Sequence, residues 1–400
     1  MNYTELKVLV IEDHDFQRQF IVDRLRQLGI DTISEAVDGR QALVSLRQSM
    51  ADLVICDLQM PEMDGVQIIR HLSDLGFKGG LILVSAMEPS LISSVGRMAE
   101  DFQLRVLGTL SKPVETQTLK KLILKLNEPL AQEVEQPAAL PNESELRHAL
   151  RQKQFVAYFQ PKVDILQRSV VGVETLARWH HPDKGLLGPE HFIEPMEEMG
   201  LLHELTWQIF SQAFVQCRKW LNAQNPLSVS VNVSSSVLSR NGFFDDFLGM
   251  VKQHNLPADL IMLEVTESTL MQQLSGSVEC LARLRMNNFK LSIDDFGTGY
   301  SSMQQLERIP FTELKIDKSF VHNVVHDSQK QAIVESSIEL AQKLGLKTVA
   351  EGVETDADWS FMKKIGCDQS QGYFSGRPMP AEDFAAWETQ WRTGAAAAPA

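Results

Sequence analysis

The chain is predicted to fold as two α/β units in tandem. A doubly wound parallel sheet spans residues 5–126, and a (β/α)8, TIM-like barrel spans 143–390. A linker at 127–142 joins them, and a disordered tail follows at 391–400. Three observations predict this. The 400 residues exceed what one hydrophobic core usually serves. In both halves, short apolar runs ending in polar or acidic residues alternate with amphipathic stretches, the pattern of βα units. Between the halves, Asn127 to Asn142 is polar and carries three prolines, which reads as a semi-rigid connector.

Composition narrows the function classes. Hydrophobic residues at 44% and charged residues at 22% describe an ordinary globular protein. A net charge of −14 argues against broad binding to DNA or an anionic membrane, so an anionic substrate needs a local cation. Cys56, Cys217, Cys280 and Cys367 are scattered without C-x-x-C spacing and read as buried thiols of a reducing compartment. The first residues run straight into the strand-like Val8-Leu9-Val10-Ile11, and no apolar run reaches membrane-spanning length, so a cytoplasmic location is expected.

Taken in order, Lys7 to Ile11 is the first strand and ends in Glu12-Asp13. Leu53 to Cys56 ends in Asp57, Leu81 to Val84 in Ser85, and the run around Val106 to Leu110 near Lys112-Pro113. Ligands in such sheets sit at the carboxyl ends of the strands, so Glu12, Asp13, Asp57, Ser85 and Lys112 should converge on one acidic pocket. Three carboxylates suit a hard Mg²⁺. An Asp beside Mg²⁺ and a Lys, with a hydroxyl nearby, is what a phospho-acceptor requires, because metal and ammonium neutralise the incoming phosphoryl group. Asp64-Gly65 reads as a turn and helix cap.

These residues resemble the receiver domain of two-component response regulators, a flavodoxin-like fold. The likeness covers the acidic pair, the acceptor in D-L-Q-M-P-E-M-D-G, the Ser and the Lys-Pro. It implies phosphorylation at Asp57, Mg²⁺ in the pocket, and a sensor histidine kinase or phosphotransfer protein as partner. Thr109 stands where the family usually has its switch aromatic, three residues before the Lys, which puts the usual aromatic relay in doubt.

After the linker, Asn142 and Ser144 restart a helix, and polar strand ends then recur about every 20–35 residues, the size of one βα unit. Val156 to Gln160 leads to Pro161-Lys162, and Val170 to Arg178 contains Glu174. Leu227 to Val231 leads to Asn232, and Leu260 to Leu263 to Glu264 and Glu267. Leu291 to Ile293 ends in Asp294-Asp295, followed by a glycine loop through Tyr300, Ser301 and Ser302. Phe311 to Ile316 carries Lys315 with Asp317 two residues on, expected on one strand face. Thr348 to Ala350 leads to Glu351 and Glu354, and Asp368 to Phe374 carries Gln371-Gly372-Tyr373.

Seven or eight such units predict a barrel with its site at the C-terminal face. Glu174, Asn232, Glu264, Asp294, Asp295, Asp317 and Glu351 form an all-oxygen set that favours Mg²⁺ or Mn²⁺ over zinc. So many carboxylates can hold two cations about 3.5–4 Å apart, the arrangement for in-line displacement at phosphorus. The chemistry alone predicts a metal-dependent phosphoesterase.

The second unit also resembles the EAL domain, the family that hydrolyses the bacterial second messenger cyclic di-GMP. The naming motif stands as Glu174-Thr175-Leu176, with Thr for the usual Ala. The N-V-S, E-x-T-E, D-D-F-G-x-G-Y-S-S, K-I-D, E-G-V-E and Q-G-Y motifs begin at Asn232, Glu264, Asp294, Lys315, Glu351 and Gln371. The resemblance implies two-metal hydrolysis to linear pGpG. Glu174, Asn232, Glu264 and Asp294 hold the first metal, and Asp294 bridges to a second near Asp295, Asp317 and Glu351. Lys315 orients the attacking water, with Glu351 and Lys315 both candidates for the general base. Arg178 clamps a substrate phosphate, Gln160 and Gln371 are expected at the guanine or phosphate edge, and Glu354 joins the substrate-binding set. Glu267 anchors the loop after Asp295, Trp179 either stacks on a base or is buried, and His180 and His181 read as packing and loop residues. The family commonly dimerises, so a homo-oligomer is expected. A cyclic di-GMP receptor that binds without cutting, or a docking surface, are the alternatives. No G-G-D-E-F-like run is present, so synthesis of the messenger is excluded.

Overall fold

The computed structural model describes residues 6–86, 95, 96, 98–100, 102–127, 141–267, 274–298, 306 and 309–393, in two compact units, Met1–Pro137 and Ala138–Ala400. The first unit is a five-stranded parallel sheet of β1 (Val8–Ile11), β2 (Ile33–Ala36), β3 (Leu53–Asp57), β4 (Gly80–Ser85) and β5 (Arg105–Ser111), in the order β2-β1-β3-β4-β5. Its central strands are unbroken apolar runs because both faces are covered. Leu9, Ile11, Val54, Cys56, Leu81 and Leu83 pack into one core. Their neighbours Val8, Val10, Leu53, Ile55, Ile82 and Val84 pack into the other, on the opposite face. The strand β2 (I-S-E-A) escaped the apolar pattern because it is a half-exposed edge.

Helix caps stand where the sequence places them. The Asp64 side chain accepts a hydrogen bond from the Gln67 amide at 2.8 Å, and that of Asn142 accepts from the Glu145 amide at 3.0 Å. Most of the linker, residues 128–140, and the tail 394–400 lie outside the described residues. The last helix, Ala381–Thr393, continues past the expected boundary. Residues 391–393 therefore belong to the helix and not to a disordered tail, because Trp391 is buried against Trp359 and Trp387.

The second unit is a closed eight-stranded barrel. It comprises β6 (Phe155–Asp164), β7 (Val170–His181), β9 (Ser228–Asn232), β10 (Ile261–Thr266), β11 (Lys290–Phe296), β12 (Glu313–Ile316), β13 (Lys347–Glu351) and β14 (Gln369–Gln371). A short β8 (Gly185–Leu187) extends β7 as a hairpin. Strands β7 and β9 to β14 run parallel in sequence around the barrel. The first strand departs from the expected (β/α)8 repeat, since β6 is antiparallel to both β7 and β14. Only five residues separate β6 from β7, too few for a helical crossover, so the chain turns back as a hairpin. Pro161 and Lys162 are therefore not a strand-end loop at the site face. Both lie inside the strand, and Lys162 points into the barrel.

Candidate active site

The parallel barrel strands deliver their polar residues to one level. Register pairs Gln160 with Glu174, Asn232 with Glu264, Thr266 with Asp294, and Glu351 with Gln371. At the centre is the fully buried ammonium of Lys315 on β12. Its Nζ lies 2.6 Å from Glu351, 2.8 Å from Glu264, 3.0 Å from Asp294 and 3.2 Å from Glu174. The oxygens of Glu174, Glu264 and Asp294 come within 4.8 Å of one another, and so do those of Asp294, Asp295 and Glu351. Asp294 belongs to both groups.

A regular strand would send Asp294 and Asp295 to opposite faces. Here the register with β12 slips between Ile293 and Phe296, and Asp295 takes the left-handed region at φ 55°. The bulge aims adjacent carboxylates at one place. Just beyond, the Gly297 amide donates to buried Glu267 at 3.0 Å. Tyr300, Ser301 and Ser302, which close the expected loop, lie outside the described residues.

Glu174 is held from two further sides. The Asn232 amide donates to its Oε1 at 2.8 Å and the Gln371 amide to its Oε2 at 2.6 Å. Gln371 also donates to Gln160 at 3.0 Å, and Gln160 in turn to the Gly376 carbonyl at 3.1 Å. The two glutamines thus form a chain that orients Glu174. The glycine after Gln371 is required by proximity, because a Cβ on Gly372 would sit 2.2 Å from the Val353 carbonyl oxygen.

Burial and charge set the protonation tendencies. Desolvation raises the Glu174, Asp294 and Glu351 carboxyls, with neighbouring carboxylates adding to it and Lys315 opposing it. Desolvation also acts on Glu264, but Lys162 and Lys315 outweigh it and hold that carboxyl at about 2. Burial alone would lower Lys315, yet its four carboxylates keep its pKa well above the ordinary lysine value. A cavity of ≈ 660 Å³ opens onto this centre, lined among others by Glu174, Asn232, Glu264, Asp294, Asp295 and Lys318.

Two expected site residues are placed apart from this cluster, and a third, Asp317, borders it at Asp295. Asp317 lies one residue past the end of β12 at Ile316 and caps the next helix, accepting from the Ser319 amide at 2.9 Å; its charge adds to the desolvation that raises the Asp295 carboxyl. Glu354 is exposed and pairs with His322 at 3.5 Å. Arg178 is half-buried, with a hydrogen bond to the Ala177 carbonyl at 2.8 Å, and desolvation lowers its pKa. Trp179 is buried and donates to Gln154, so it is a packing residue and not a stacking platform. His181 is buried in its own turn, accepting from the Asp183 and Lys184 amides, while His180 is exposed.

The first unit gathers a smaller centre at its strand ends. Lys112 Nζ lies 2.7 Å from Asp57 and 2.9 Å from Glu12, and the oxygens of Glu12, Asp13 and Asp57 come within 4.8 Å of one another. Asp57 and Glu12 are buried while Asp13 is exposed. Desolvation raises Glu12, with Asp57 adding to it. The Lys112 amide donates to the carbonyl of buried Ser85 at 3.2 Å. Thr109 is exposed on β5, opposite Leu83 in register.

The EAL domain profile matches residues 143–378, and the response regulator receiver domain profile matches 8–124. The chain belongs to the EAL domain family. It carries a receiver domain ahead of the EAL domain. Cyclic di-GMP phosphodiesterase RocR of Pseudomonas aeruginosa is 37% identical over 95% of this chain and 98% of its own length. Among solved structures, the PaMucR phosphodiesterase in complex with c-di-GMP is 40% identical, with a TM-score of 0.59 over 60% of this chain and 98% of that one. The EAL enzyme Bd1971, in its cAMP- and cyclic-di-GMP-bound form, is 29% identical with the same TM-score of 0.59, over 68% of this chain and 74% of that one.

One part of the EAL domain's centre was not anticipated from sequence. Lys162 is a second buried ammonium, 2.6 Å from Glu264 and 2.9 Å from Glu313. The signal was present, since Gln160 and Lys162 are two apart and share a strand face, but the hairpin direction of β6 hid it. All four cysteines are free, and burial pushes Cys280 and Cys367 up to about 11. No helix among the described residues is long and apolar enough to cross a membrane.

Proposed function

We propose that this chain is a cyclic di-GMP phosphodiesterase that opens the cyclic dinucleotide to linear pGpG under control of phosphorylation at Asp57. The observation that carries it is Asp294, shared by two groups of converging carboxylate oxygens and lining a cavity of ≈ 660 Å³ together with Glu174, Glu264 and Asp295. The likeness to RocR across nearly the whole chain supports the substrate.

The donor set fits hard divalent cations: it is all oxygen, strongly anionic and only partly neutralised by Lys315 and, at Glu264, by Lys162. Glu174, Asn232, Glu264 and Asp294 would hold one Mg²⁺ or Mn²⁺, and Asp294, Asp295 and Glu351 a second, with Asp317 behind Asp295. When bound, the cations supply Lewis acidity toward the phosphate and an acidified water. The chain's own residues do the rest. Asn232 and the Gln371–Gln160 chain fix Glu174. Lys315 stays charged among its carboxylates, which makes it a donor that orients water, not a base. Glu351, whose pKa burial raises, would take a proton from the water that attacks phosphorus and return it to the 3′-oxygen released as the P–O3′ bond breaks. Arg178 clamps the phosphate when substrate is present.

In the receiver domain, Glu12, Asp13 and Asp57 would hold Mg²⁺, and Lys112 meets the phosphoryl group as it transfers to Asp57. A sensor kinase or phosphotransfer protein would be its donor. A homodimer is also proposed, to be read by light scattering.

The test is incubation of the full chain with cyclic di-GMP and Mg²⁺, with products separated by chromatography. Linear pGpG is expected. Tight binding without product would overturn hydrolysis and leave a receptor.

A further inference from the structure

Directly beneath the catalytic level lies a second polar layer. Its members stand two residues before the site residues of their strands: Ser230 before Asn232, Ser292 before Asp294, Glu313 before Lys315. Residues two apart share a strand face, so they form the next layer of the barrel interior. Such layers are normally filled by branched aliphatic side chains. Here Lys162 enters from the antiparallel β6 and ties the layer together. Its Nζ donates to Glu264 Oε1 at 2.6 Å, Glu313 Oε1 at 2.9 Å and Ser230 Oγ at 2.9 Å, and Ser292 donates to Glu313 at 3.0 Å. Lys162 and Glu313 are 2% and 3% exposed.

A buried ion pair of this kind contributes little to folding, and an apolar pair of similar size is often as stable or more so. Its contact with Glu264 gives it another role. Glu264 is gripped on both oxygens, Oε1 by Lys162 from below and Oε2 by Lys315 from the site.

We infer that Lys162 is a positioning residue for the metal centre: it occupies Oε1 of Glu264 from below, so that Oε2, on the side of Lys315 and the other site carboxylates, is the oxygen turned to a cation. Glu313 and the two serines hold Lys162 in place and keep the layer neutral. This rests on the reading of the barrel centre as a metal site. Partners that orient a metal ligand in this way typically contribute about 10–100-fold to metal affinity or activity.

The test compares the full chain with Lys162→Met/Glu313→Leu. The double substitution removes one charge of each sign, so the net charge of the site is unchanged and no buried charge is left alone. Mn²⁺ binding is measured by calorimetry, with Asp57→Asn and Asp13→Asn in both proteins to silence the receiver pocket. Thermal unfolding is recorded in EDTA. A folded variant with unchanged unfolding temperature, roughly tenfold or greater weakening of Mn²⁺ binding and an unchanged KM for substrate at saturating metal is expected. Equal Mn²⁺ affinity in the two proteins would overturn the assignment. If the background chain itself binds no Mn²⁺, the metal-site reading falls first and this inference with it. Should the double variant fail to fold, Ser230→Ala, which removes one of the hydrogen bonds around Lys162, is expected to weaken Mn²⁺ binding at unchanged stability, and no weakening would overturn the inference.

Discussion

The receiver pocket and the barrel centre use the same parts at different depths. Each places a lysine among carboxylates at the carboxyl ends of parallel strands. In the receiver domain, Lys112 is partly exposed and touches two carboxylates, with Asp13 open to solvent. In the barrel, Lys315 is fully buried and touches four. An open pocket with one acceptor suits brief group transfer from a protein donor. A closed, over-determined one suits fixed cations and a bound small substrate. Depth, more than residue type, separates the two centres.

That contrast breaks first at Glu174. The Glu174→Ala variant should lose turnover by about 10³-fold or more, as expected of a group in a concerted site, while keeping its fold. Near-normal rates at saturating Mg²⁺ would remove it from the metal set. Next, Lys315→Met leaves four carboxylates around an empty centre. In EDTA the barrel should lose about 3–5 kcal/mol in urea unfolding, as for a broken buried pair, and Mn²⁺ should recover part of it. Third, phosphorylation of Asp57 from acetyl phosphate should change turnover of the intact chain by about 5–150-fold, the usual span of allosteric coupling. Asp57→Asn should abolish that response, and equal rates with and without the donor would break the link between the units. Smallest is Lys112→Met, whose partly exposed ammonium pairs with two buried carboxylates and should cost about 1–3 kcal/mol of receiver stability, read by thermal unfolding. A loss as large as that of Lys315→Met would erase the distinction of depth.

Much of this was legible in the sequence, because parallel strands announce themselves as apolar runs with polar ends. Asp57, Lys112, Asn232, Glu264, Asp294 and Glu351 were singled out that way, whereas Glu174 and Lys315 lie within their strands and were picked out as polar residues inside apolar runs. What escaped obeys no such pattern. The edge strand β2 is half polar, and alternation says nothing of strand direction, so the reversal of β6 and the inward aim of Lys162 were hidden. Asp317 looked like a strand residue until the strand stopped one residue short of it. The bulge that turns Asp295 toward Asp294 depends on a backbone torsion that no spacing encodes.

The central claim is that the barrel centre holds two cations through a shared Asp294 and the receiver pocket one. The most direct measurement is the number of Mn²⁺ ions bound per chain, by calorimetry and elemental analysis, for the natural sequence and for Asp294→Asn. The account predicts three ions, falling to one when Asp294 is replaced. Two or more ions retained by Asp294→Asn, or a single ion in the natural chain, would contradict it.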